Sequence, residues 1–107
     1  MPRAAQIRAL LDDVILAMKD SRVWDVPRPA DEALVDMGAF GMRTMAFAQW
    51  LRWVFVPNVE RLIASDGPWP QSSQVAVRAV REGDTDEAIA ALVPALGAFD
   101  AAFSAVR

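Results

Sequence analysis

Only carboxylates could serve as a base or grip a metal ion in this chain, because it contains no histidine and no cysteine. Without histidine it lacks the commonest general base at neutral pH and the commonest metal ligand. Without cysteine it has no disulfide, thiolate metal site or thiol nucleophile. Two acidic groupings remain. Asp12 and Asp13 are adjacent in a helical pattern, so their side chains leave the helix about 100° apart and do not converge. Asp84, Asp86 and Glu87 read as the first turn of a helix, where the unpaired amide N–H groups stabilise negative charge. Both groupings read as solvated charge and capping, and no spacing argues for an oxygen-only Mg2+ site. No catalytic residue, metal ligand or cofactor is expected.

The basic residues point the same way. Arg43, Arg52 and Arg61 follow one another at intervals of nine, about two and a half helical turns, so successive ones face opposite sides and line no phosphate track. Eleven Lys and Arg against fourteen Asp and Glu give a net charge of −3. A domain holding nucleic acid by charge alone is usually strongly basic, so direct RNA or DNA binding is not expected.

Aromatic residues are the other candidates. Trp50 and Trp53 stand at i and i+3 and are expected on one helical face, with Met45 and Phe47 close by. Core packing is the first reading of such a stripe. The second is an aromatic groove that takes a small ligand or a partner helix, with Trp24 and Trp69 as its lids. Gln49, Arg52, Val56 and Glu60 form the moderately polar strip of the same helix. Asn58, beside Pro57, is placed to satisfy backbone groups that a proline frees.

The elements that position these residues read as all helical. Thr44 to Ser65 is apolar almost all round and is expected to be a central helix buried on several sides. Thr44 is its expected N-cap, Pro57 its expected kink, and Gly67-Pro68 its stop signal. Before it, Ala4 to Asp20 repeats Ile7, Leu10, Leu11, Val14, Ile15 and Met18 at helical spacing. Pro27 and Pro29 hold the following connection extended, and Trp24 within it is expected to pack back on the bundle. Ala30 to Met37 has the pattern of a short helix, and Gly38 and Gly41 bracket Phe40 in a turn. After the central helix, Gln74 to Arg81 is a weaker helix with Val75, Val77 and Val80 as an approximate stripe, ended by Gly83. Asp84 with Glu87 reads as a capping box for the last helix. That helix carries Ile89, Leu92, Leu96, Phe99, Phe103 and Val106 as a bundle seam, bent or split by Pro94. The expected fold is therefore a single all-α domain over 1–107, a small four-helix bundle-like domain with a kinked central helix. No stretch is apolar for long enough to cross a membrane and no signal peptide is read, so a cytoplasmic protein is expected.

The stretch from Phe40 to Trp69 also carries a resemblance. Thr44-Met45, Gln49-Trp50-Leu51, Trp53-Val54-Phe55, Val56-Pro57 and the later Pro70 resemble the YqcC-like family of small bacterial proteins. The first helix, Ala4 to Asp20, with Trp24 after it, and the last helix with its Leu and Phe seam extend the likeness over nearly the whole chain. Arg43 stands where that family usually has Asp, Ala39 where it has Pro, Arg52 where it has Gln, and Asn58 where it has Arg. The resemblance implies an all-α fold and an association with a tRNA pseudouridine synthase, beside which such proteins are often encoded. It does not imply synthase activity, which needs a much larger α/β catalytic domain with an essential Asp. The expected function is a non-catalytic helical accessory or interaction protein, monomeric or homodimeric. The alternative is a small-molecule-binding module with an aromatic pocket, and a carboxylate enzyme ranks last. The candidate binding or family-motif residues are Thr44, Met45, Gln49, Trp50, Arg52, Trp53, Pro57, Asn58 and Trp69.

Overall fold

The computed structural model describes residues 3–35, 38–42 and 44–104. Its elements are helix α1 (Arg3–Asp20), a central helix α2 (47–65), α3 (Val75–Gly83), a one-turn α4 (Glu87–Ala90) and α5 (Val93–Ser104). Short 3-10 turns at Val23–Asp25, Asp31–Leu34 and Ala39–Gly41 lie between α1 and α2. No strand occurs among the described residues. Leu34 is half-buried in the second of these turns, while Met37, Arg43 and Val106 lie outside the described residues.

α1 and α5 behave as their spacing predicts. Ile7, Leu11, Val14 and Met18 are buried on α1, and Leu96, Phe99 and Phe103 on α5. α1 packs against α5 and the C-terminal half of α2, while α3 packs on α4 and α5. The core formed between them includes Leu11, Leu51, Leu92 and Leu96 at zero exposure. Each such leucine stabilises the fold by about 1.5–3 kcal/mol relative to an exposed one.

α2 is one continuous helix with a defect in the middle. It is α-helical over Phe47–Trp50, π-helical over Leu51–Phe55 and α-helical again over Val56–Ser65. Pro57 is the cause. It has no N–H to donate and its ring crowds the preceding turn. The chain answers by widening that turn, with the Val56 N–H donating to the Leu51 carbonyl five residues back. The expected kink is thus resolved as a π turn. Asn58 takes no part in it: its side-chain oxygen accepts from Arg61 on the exposed surface. At the far end Asp66 turns left-handed (φ 54°), and the Gly67 N–H closes on the Leu62 carbonyl at 2.9 Å. That is a Schellman-type stop.

Two helix starts differ from expectation. Thr44 is not the N-cap of α2. The helix begins at Phe47 behind Ala46, whose N–H donates to Gln49 Oε1 at 3.1 Å. The Thr44 hydroxyl instead donates to the Ala33 carbonyl at 2.5 Å, tying the 31–34 turn to the approach of α2. Asp84 is likewise not an N-cap. It lies in the turn after α3, and Asp86 caps α4 by accepting from the Ala88 N–H at 3.0 Å. Pro94 splits the last helix as expected, because as second residue of α5 it stands where no amide hydrogen is required.

The valine stripe of α3 is also corrected. Val75 is buried, but its buried companion is Ala79, and Val77 and Val80 face solvent.

Candidate functional site

Three side chains of α2 reach sideways and fasten the 21–29 connection to the helix. Gln49 Nε2 donates to the Pro27 carbonyl at 3.1 Å, Arg52 Nε to the Trp24 carbonyl at 3.2 Å, and Trp53 Nε1 to the Val26 carbonyl at 3.0 Å. Pro27 and Pro29 stand three residues after Trp24 and Val26 and have no N–H to close a turn onto those carbonyls, so side-chain donors meet that need. The Arg52 guanidinium is also stacked between two rings, 3.8 Å from the Trp24 centroid and 4.4 Å from that of Trp53. Lys19 approaches the Trp24 ring at 5.3 Å. Cation–π attraction holds the Trp24 and Trp53 rings against Arg52.

Trp50 goes elsewhere. Its ring stacks on Phe47 (centroids 5.9 Å apart, planes at 13°) and meets Phe40 edge-on at 5.2 Å and Phe55 at 5.6 Å. The series continues through Phe99 to Phe103. Trp50 and Trp53 therefore do not share a face, because the π turn between them carries more residues per revolution than an α turn. Met45, half-buried, sits over Gly41. A Cβ on Gly41 would lie 2.7 Å from Met45 Cγ and 3.2 Å from Trp50 Cβ, and its φ is +73°. Only glycine fits that turn.

The pocket expected between Phe47, Trp50 and Trp53, closed by Trp24 and Trp69, is not formed. Trp24 and Trp53 are occupied by Arg52. Trp69 does pack on the core as a lid, over a different cleft of about 170 Å3. Trp50, Phe55, Val59, Leu62, Phe99 and Phe103 line it, with Asn58, Ser72 and Ser73 adding polar atoms. A second cleft, of about 250 Å3, opens between Phe40, Met45 and Phe47 on one side and Arg78, Glu82 and Asp86 on the other.

The carboxylates are scattered, and several are engaged. Asp12 pairs with Arg8 at 2.6 Å, Asp31 with Arg28 at 2.8 Å, and Glu82 with Arg78 at 2.5 Å. Asp100 of α5 accepts from the Ser73 hydroxyl and, at 2.7 Å, from the Ala76 N–H. It caps α3 from another helix, which sequence spacing alone could not disclose. Among the described residues no three acidic side chains gather as a metal-holding group, and no helix is long and apolar enough to cross a membrane.

A family model described as tRNA pseudouridine synthase C, DUF446, matches residues 6–102. The chain belongs to the DUF446 family. A protein of Pectobacterium carotovorum subsp. carotovorum named tRNA pseudouridine synthase C is 36% identical over 72 residues. That match takes in 67% of this chain but 19% of the Pectobacterium protein, so about four-fifths of the relative lies beyond it. An uncharacterized protein of Haemophilus influenzae is 28% identical over 71 residues, 66% of this chain and 67% of its own. No solved structure matches. In this DUF446 chain, Gln49, Arg52 and Trp53 spend their polar groups on the 21–29 connection. Trp50 and Pro57 shape the core and the π turn.

Proposed function

We propose that this chain is a non-catalytic helical accessory protein that binds a tRNA pseudouridine synthase. The observation that carries the reading is the Pectobacterium relative, in which a segment like this one makes up about a fifth of a longer protein bearing that name. Two bodies joined in one chain act at high effective concentration on each other, which favours a contact between such a segment and the synthase it accompanies. The scattered carboxylates and the structural employment of the Gln49–Trp53 motif support a binding role over a chemical one. Tagged protein captured from its own cells, with and without RNase, tests this by mass spectrometry. A pseudouridine synthase that stays enriched after RNase is the expected result. Loss of the enzyme on RNase treatment would make RNA the tether, and recovery of neither would overturn the proposal.

The cleft beneath Trp69 favours a second reading, a small apolar ligand. About 170 Å3 suits one aromatic ring or a short alkyl chain. Native mass spectrometry of protein from its own cells would then show an adduct that Trp69→Ala abolishes; an unliganded mass throughout would contradict it.

A further inference from the structure

We propose that the outward face of α3, together with the turn at 39–42, is the surface that seats the synthase, through an acidic segment with an apolar face. This rests on the accessory reading above and adds the place of contact. α3 buries Val75 and Ala79 and turns Val77 and Val80, three residues apart, to solvent at 59% and 53% exposure. Met42, 59% exposed, stands across a shallow cleft of about 260 Å3 from Val77. Among the described residues five large apolar side chains are exposed, and these are three of them.

Valine is a poor choice for an exposed helix position, where it loses side-chain freedom that Lys or Glu would keep and Ala does not have to lose. Two of them on one face of a nine-residue helix conflict with local propensity. Such conflicts without a folding purpose mark binding surfaces. Charge then selects the occupant. The two ionisable residues lining the cleft, Arg78 and Arg81, are both arginines, on a chain of net charge −3. Arg78 is engaged with Glu82 through one nitrogen, and its Nε is buried without a partner. Arg81 is exposed. A carboxylate on an apolar segment complements this notch. A second copy does so less well, because a two-fold contact of this face sets the arginines of one against those of the other. Two arginines around valines are not a phosphate track either.

Isothermal titration of purified, RNase-treated synthase with the full chain tests the assignment. Val77→Glu with Val80→Glu is expected to weaken binding at least tenfold, and Arg81→Glu at least threefold with a flatter salt dependence. Leu16→Glu, at an exposed position of α1, is expected to bind as the unchanged chain does. Should the double variant fail to fold by circular dichroism, Arg81→Glu decides. Binding by the unchanged chain that neither α3 variant weakens, or that Leu16→Glu weakens equally, overturns the surface and leaves the accessory reading standing. No binding by the unchanged chain sinks both. Self-association that the α3 variants abolish, with synthase binding intact, assigns the face to a second copy instead.

Discussion

Arg52 lies between the indoles of Trp24 and Trp53 and sends its Nε–H to the Trp24 carbonyl, so one side chain serves as both wedge and tie. A lysine there keeps the charge but loses the planar stack and the fixed direction of the donor. Arg52→Lys is expected to cost about 1–2 kcal/mol in urea unfolding. Faster proteolysis within 21–29 should accompany it, since one of the three side-chain ties that fasten the connection to α2 is weakened. An unchanged midpoint and cleavage rate would mean the stack is incidental. Trp50 touches three other rings and is half-buried rather than sealed. Its truncation to alanine should cost about 2–4 kcal/mol, somewhat under the range for fully buried aromatics. A loss below about 1 kcal/mol would show that the cluster adds little to stability. That the two tryptophans matter was legible from their size and spacing. That they part company was not, because the π turn changes the angular step that spacing arguments assume.

At the scale of elements, prolines were the most informative residues. Pro57 marked the defect in α2, and Pro94 the break before α5, since each lacks a donor that a regular helix needs. Caps were less legible. Thr44 and Asp84 are good capping residues, but the chain uses the Thr44 hydroxyl for the Ala33 carbonyl and places Asp86 two positions nearer the helix. Long-range capping is invisible to spacing altogether. Asp100 closes the start of α3 across 24 residues, and Asp100→Ala should cost about 1–2 kcal/mol, read as a lower melting temperature. The α3–α4 corner gives a sharper case. A Cβ on Gly83 would stand 3.0 Å from Ala90 Cα, so Gly83→Ala must push the two helices apart. The expected loss is about 1–3 kcal/mol in denaturant unfolding. No loss would mean that α4 yields freely.

For the whole molecule, most of the candidate residues singled out in the sequence turn out to build the fold. Gln49, Arg52 and Trp53 fix a connection, Trp50 packs, Pro57 bends, and Trp69 roofs a small cleft. The surface proposed for a partner is one that the sequence pattern mistook for core, Val77 and Val80 of α3. A valine at helical spacing looks the same whether it faces a core or a partner, and only the neighbouring Ala79 tells which side is in. The radius of gyration, 13.4 Å, is that of an independently packed domain of this length, as the proposed accessory role requires. Sedimentation velocity of the purified chain mixed with purified, RNase-treated tRNA pseudouridine synthase tests this most directly. The small chain is expected to move with the enzyme as one faster species at micromolar concentration. Two boundaries sedimenting independently across that range would contradict it.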